Sequence, residues 1–193
     1  NYIEEIVSEA FMPICYGGNI NNINQCEKLF KLGIEKVSLN YSAIYNSNLI
    51  PELAERFGSQ SIVVSIDYKR NLFGKIKVYS QRGKKVVDTD IIRLAKQIEK
   101  LGAGEILLTS IDNEGRSKGY DIETIKKVSD SVNIPVIANG GCNDINDIYL
   151  AIKEGGASAV SASSMFIYWG KLRGVLINYP TQDLLTDKLF NKI

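Results

Sequence analysis

Two acidic residues in this sequence close apolar runs. Asp67 follows Ile62-Val63-Val64-Ser65-Ile66, and Asp112 follows Ile106-Leu107-Leu108-Thr109-Ser110-Ile111. Burial disfavours the charged form of a carboxylate and moves its pKa toward neutrality, where it can both give and take protons. Asp67 is therefore a candidate general acid or base. Asp112 leads into Asn113-Glu114-Gly115, a turn-like segment. There an acceptor for backbone N–H groups competes evenly with chemistry. Histidine is absent, which removes Ser-His-Asp and Cys-His catalysis and the usual zinc sites. Proton transfer falls to Asp, Glu, Lys, Cys or Tyr. The three cysteines, Cys15, Cys26 and Cys142, form neither a CxxC pair nor a metal-binding spacing, and Cys15 lies in an apolar run that predicts burial. No metal and no cofactor is expected.

A second set of residues suits phosphate. Gly17-Gly18 and Gly140-Gly141 each end an apolar run. Glycine lets a backbone approach a ligand closely, and its exposed N–H groups can cradle an anion. Asn40-Tyr41-Ser42 and Ser163-Ser164 end the next runs in turn. Their hydroxyl and amide groups either complete two phosphate sites or cap the helices that follow. Together the two sites would hold a molecule with a phosphate at each end. Lys36 and Glu105 open their runs, at the opposite end from this chemistry, where a plain salt bridge is the default.

The elements that position these residues alternate. Strands are predicted at 12–16, 36–40, 61–67, 105–110, 134–139 and 158–162, most of them apolar on both faces, as in a sheet covered on both sides. Helical spacing marks 21–32, 48–57, 88–101, 122–131 and 144–154, several with glycine just beyond the end. The chain opens in a helical pattern. Residues 71–87 break the rhythm and read as an inserted β-hairpin, with strands at 76–80 and 84–87. Residues 181–193 look helical from Leu184, Leu185, Leu189 and Phe190.

The Gly-Gly pair recurs at an offset of 123, and so do Val37 as Val160 and Asn40 as Ser163. Strand, Gly-Gly, helix, strand and polar end thus occur twice. Doubling 123 gives about 246 residues, near the ~250 of an eight-stranded barrel. The 193 residues supply six of eight strands. The expected fold is an α/β (β/α)8 TIM-type barrel with a half-barrel repeat, in one domain spanning 1–193, its first two strand–helix units lying before Asn1. A doubly wound open sheet explains the alternation but not the repeat.

Composition sets the outer limits. With a net charge of +1, 45% apolar and 23% charged residues, nothing asks for nucleic acid or a membrane surface. The run Arg82-Gly83-Lys84-Lys85 reads as a solvated turn. The 193 residues show no signal-peptide pattern and no apolar run of ~18 residues, and the cysteine usage suits a reducing cytoplasm.

Gly102-Ala103-Gly104-Glu105-Ile106-Leu107-Leu108-Thr109-Ser110-Ile111-Asp112 and Gly119-Tyr120-Asp121 resemble the cyclase subunit of imidazole glycerol phosphate synthase, the HisF family. So do Lys36-Val37-Ser38-Leu39-Asn40, Phe57-Gly58-Ser59-Gln60 and Pro135-Val136-Ile137-Ala138-Asn139-Gly140-Gly141. The resemblance runs to about Phe166. It implies a glutaminase (HisH-like) partner whose ammonia passes through the barrel. The ammonia attacks a bisphosphorylated ribulosyl substrate, yielding imidazole glycerol phosphate and an aminoimidazole carboxamide ribotide. It implies that Asp67 is the second of two catalytic aspartates, the first lying on a strand that would precede this sequence. By the same resemblance Lys36 and Glu105 belong to a charged ammonia gate. Gly115, Gly141, Ser163 and Ser164 match one phosphate site; Asn19, Asn40 and Tyr41 match the other.

Four positions depart from that pattern. Asn19 replaces a third glycine, Tyr41 a Ser or Thr, Glu114 an Asp, and Ser163 an Ala. Residues 166–180 resemble instead a HisF-like branch tied to amidation of surface-polysaccharide sugars, in which ammonia is delivered to a third protein, an amidotransferase. Three expectations result: a cyclase subunit of histidine biosynthesis, an ammonia conduit without cyclase activity, or a barrel fragment inactive by itself.

Overall fold

A computed structural model describes residues 2–193 except 82 and 171. Six parallel strands carry the architecture: β1 (Cys15–Gly17), β2 (Lys36–Leu39), β3 (Ile62–Arg70), then, past the hairpin strands β4 (Ile76–Ser80) and β5 (Lys85–Val87), β6 (Glu105–Ser110), β7 (Val136–Asn139) and β8 (Ala159–Ser161). Their order is β1-β2-β3-β6-β7-β8, so strands consecutive in the parallel set are neighbours. Helices α1 (Tyr2–Glu9), α2 (Ile23–Lys31), α3 (Tyr41–Tyr45), α4 (Leu49–Phe57), α5 (Ile91–Lys100), α6 (Ile122–Ser129) and α7 (Ile145–Lys153) alternate with them. Capping boxes start α2 (Asn22 with Gln25) and α7 (Asp144 with Asp147). Asp90 and Asp121 cap α5 and α6. Each satisfies N–H groups that the first turn leaves without partners.

Residues from all six parallel strands line one space of about 630 Å3. The sheet is therefore curled around it. This is the partial TIM-type barrel expected from the alternation and the repeat, and not the doubly wound alternative. Burial alternates along the strands. Val37 and Leu39, Ile106 and Leu108, and Val136 and Ala138 are buried under the helices. Lys36, Ser38, Leu107 and Ile137 face the concavity. The expectation that both faces are covered is corrected here: only the outer face is packed by helices. Cys15 is corrected with it, since its side chain is exposed in the concavity.

The first strand begins three residues later than predicted. Phe11 and Met12 are exposed, and Pro13 has no N–H to give a ladder. The third strand runs three residues past Asp67 because β4 pairs with it antiparallel, Asp67 opposite Tyr79 and Arg70 opposite Ile76. With β5 this is the predicted insertion, now a three-stranded ribbon growing out of the barrel strand. Part of the turn at 82–85 lies outside the described residues.

The repeat is real but its register is displaced by one residue. Cys15 pairs with Lys36, and Ile137 pairs with Ala159. The strand offset is 122 and the following strand's is 123, so Gly17 corresponds to Asn139, Gly18 to Gly140, and Asn19 to Gly141.

After β8 come a short helix α8 (Ser164–Ile167), a two-stranded hairpin of β9 (Tyr168–Trp169) and β10 (Gly174–Val175), and α9 (Gln182–Leu185) running into a π-helical turn (Thr186–Phe190). The turn packs on α7. Leu185 and Leu189 are buried, whereas Leu184 and Phe190, grouped with them by spacing, are half exposed. The π-helical turn widens the periodicity and rotates Phe190 outward.

Candidate active site

Asp67 stands on β3 among the inward-facing residues and lines a cleft of about 740 Å3 with Gly17, Gly18, Asn19, Asn40, Tyr41 and Gln81. Burial pushes its carboxyl above the ordinary carboxylate range. Hydrogen bonds from Ser65 Oγ, at 2.8 Å, and from the Thr109 hydroxyl oppose that shift in part. Asn139 Nδ2 donates in turn to Thr109 Oγ1 at 3.2 Å. The carboxyl is thus held from its own strand and from β6 while one side opens to the cleft. Ser65 and Thr109 are site residues that the sequence reading missed. Their signal was their position, two residues before Asp67 and opposite it in the β3–β6 register. Gln81 was also missed, because it sits beside a run that reads as a solvated turn.

The first phosphate cradle gathers as expected in one cleft. Gly18 has φ 133 and lines the cleft, and a side chain added there would meet nothing within 4 Å. Asn40 begins α3 but its side chain does not cap it; Nδ2 donates instead to the Ser65 carbonyl, at 3.1 Å. Tyr41 is half exposed, its ring 4.6 Å from that of Tyr45. Asn19 adopts φ 54.

The second cradle also assembles: Glu114, Gly115, Asn139, Gly140, Gly141, Ser163 and Ser164 line one small recess. Here glycine is demanded by the protein itself. A Cβ on Gly140 would lie 2.5 Å from the Ser110 carbonyl oxygen, and one on Gly141 would lie 2.2 Å from that of Gly119. Ser163 precedes α8 without capping it by side chain, which leaves its hydroxyl unspent on the helix.

Asp112 does not join this group. Its Oδ2 accepts the backbone N–H of Arg70 at 2.8 Å, across the β3–β6 seam. Of the two readings open from sequence, the structure shows the acceptor. At the other end, Lys36 Nζ and Glu105 Oε1 pair at 2.5 Å, both side chains partly accessible from the concavity. Gly17 and Ser38 line both that concavity and the cleft around Asp67. Among the described residues no cluster of three or more His, Cys, Asp or Glu could hold a metal ion, and no helix is long and apolar enough to cross a membrane.

The sequence matches the family described as histidine biosynthesis protein over residues 1–173. It is 44% identical over 180 residues to a provisionally assigned imidazole glycerol phosphate synthase subunit, hisF3, of Vibrio vulnificus, covering 93% of this chain and 69% of that protein. The chain belongs to the HisF family. A second HisF-family relative, the provisionally assigned subunit hisF2 of Pseudomonas aeruginosa, is 43% identical over 178 residues, 92% of this chain and 71% of the relative. The imidazole glycerol phosphate synthase subunit HisF of Alkaliphilus metalliredigens is 40% identical over 166 residues, 86% of this chain and 66% of its own length. The HisF family is a family of cyclase-type enzyme subunits.

Proposed function

We propose that this HisF-family chain is a cytoplasmic, ammonia-using synthase subunit. It cyclises a bisphosphorylated ribulosyl compound to imidazole glycerol phosphate, with a glutaminase as its ammonia source. One observation carries the reading. Asp67, its pKa raised by burial, lies beside the Gly18 and Asn40 cradle, and the concavity behind it reaches back to the Lys36–Glu105 pair. A carboxyl poised above its ordinary range can protonate one intermediate and deprotonate the next. Gly18, Asn19, Asn40 and Tyr41 at one end, and Gly115, Gly140, Gly141, Ser163 and Ser164 at the other, anchor the two phosphates. Lys36 and Glu105 gate the entry of ammonia. The test is turnover of the bisphosphate by the full-length protein with ammonium salts. Folded protein that produces no imidazole glycerol phosphate overturns the reading.

A second reading is favoured by the first cradle and by the C-terminal stretch. Asn19 and the Tyr41 ring occupy space that a glycine and a small hydroxyl residue would leave to a phosphate. In this reading the chain conducts ammonia from a glutaminase to a third protein that amidates surface-polysaccharide sugars, and has no cyclase activity. It predicts glutamine-dependent sugar amidation only when all three proteins are mixed. Sugar amidation that proceeds unchanged without this chain overturns it.

A further inference from the structure

The ribbon β3–β4 carries a charge arrangement that the barrel does not need. Lys69 and Lys77 are register partners across this antiparallel pair, and Asp67 and Tyr79 are the next partners on the same face. Side chains of direct partners stand about 5 Å apart at Cβ, and like charges so placed are destabilising. Among the described residues neither ammonium has a carboxylate partner. The contact shown for Lys69 is with the ring of Tyr79, whose centroid is 5.0 Å from Nζ, and Lys77 has none. The Tyr79 hydroxyl likewise has no hydrogen-bond acceptor among them. Two unneutralised cations and a free phenol therefore converge on one face of a ribbon, about 7 Å along the strand from Asp67.

The geometry points to an anion clamp: Lys69, Lys77 and Tyr79 bind a phosphoryl group at the rim of the Asp67 cleft. A phosphate monoester carries close to two negative charges and three acceptor oxygens, which matches two ammonium donors and one hydroxyl. A carboxylate would leave one charge unbalanced. The clamp is separate from both glycine cradles, since none of its three residues lines either. The ligand phosphate removes the repulsion between the two lysines and ties the ribbon to whatever occupies the cleft. The inference needs neither turnover nor Asp67, so its failure and that of the cyclase reading are distinguishable.

Lysine acetylation of the full-length protein by acetic anhydride, read residue by residue by mass spectrometry, tests it with inorganic phosphate as the probe. At ten times the half-saturating phosphate concentration, Lys69 and Lys77 should react roughly tenfold more slowly. Lys28 and Lys100, on α2 and α5, should keep their rates. Lys77→Gln should abolish the protection of Lys69, and Lys77→Arg should preserve it. Absence of protection overturns the clamp, as does equal slowing of all four lysines or protection of Lys69 that survives Lys77→Gln.

Discussion

Asn19 occupies, in the first half of the barrel repeat, the position that Gly141 occupies in the second. The equivalence follows from the strand registers, in which Cys15 pairs with Lys36 as Ile137 pairs with Ala159. The two positions share a positive φ, 54 for Asn19 and 107 for Gly141, but not a neighbourhood. Asn19 edges an open cleft, whereas Gly141 has a carbonyl oxygen where its Cβ would be. Reciprocal exchange should therefore be unequal. Asn19→Gly should change stability by no more than about 1 kcal/mol in urea melts, because asparagine tolerates the left-handed region. Gly141→Asn should cost about 3 kcal/mol or more, because backbone must move to admit it. Equal effects would contradict the difference in neighbourhood. If Asn19 crowds the phosphate, Asn19→Gly also tightens inorganic phosphate binding in that cleft.

Asp67→Asn should trade activity for stability. Loss of a positioned proton carrier lowers cyclase turnover by roughly 10^2-fold or more. Because burial raises the folded-state pKa of Asp67, its contribution to stability is fully present below the unfolded value and is lost as pH rises through the folded value. At neutral pH the wild-type carboxylate is thus a liability that the amide does not share. The variant should melt higher than wild type at pH 7, and the gap should close on acidification. A variant that melts lower at pH 7 would show that the Ser65 and Thr109 hydrogen bonds outweigh desolvation.

Asp121 should behave in the opposite sense. Burial pushes its carboxyl up. Hydrogen bonds from Arg70 and Thr124, with the Arg70 charge, overcome that and hold it below the usual range. Its stabilisation is therefore present above the unfolded value of about 4 and is lost as pH falls through the folded value. Asp121 also caps α6 through the Thr124 N–H. Asp121→Ala should cost about 2 kcal/mol at pH 7 in a denaturant melt, from the lost cap and the Arg70 guanidinium left without its main partner. The cost should shrink in acid.

The Lys36–Glu105 pair is a poor stability device, and its variants separate two kinds of activity. Both side chains keep access to solvent, 28% and 20% of their surface, so the pair contributes no more than about 1 kcal/mol. If it gates ammonia, Lys36→Met should leave turnover with ammonium salts intact while changing turnover with glutamine and the glutaminase partner. The ratio of the two rates in one preparation is the measurement, and a ratio equal to wild type would remove the gate.

Much of the fold is legible in the sequence, because the alternation of apolar and polar residues along a strand and the spacing along a helix are local properties. The six parallel strands, the inserted hairpin and the longer helices can be located from that pattern, whereas the short α3 and α8 are too brief to show a period. Asp67 stands out for the same reason: an acid ending a run of Ile and Val is anomalous wherever the run packs. The composition alone removes histidine chemistry, and the recurring Gly-Gly pair marks two comparable halves.

What the sequence cannot state is which distant groups meet. Asp112 closes an apolar run as Asp67 does, with chemistry and an acceptor role evenly open, and only the β3–β6 seam shows that its Oδ2 accepts the Arg70 N–H. The Gly-Gly pairs align by identity at an offset of 123, but the ladder pairs the strands one residue away from that. Cys15 has a buried residue's neighbours in sequence, yet it faces the concavity. Lys69 and Lys77 are eight positions apart and become partners only through the hairpin register. The physical reason is the same in each case. Local periodicity determines which face a side chain takes, while cross-strand register and the curl of the sheet determine what stands opposite it.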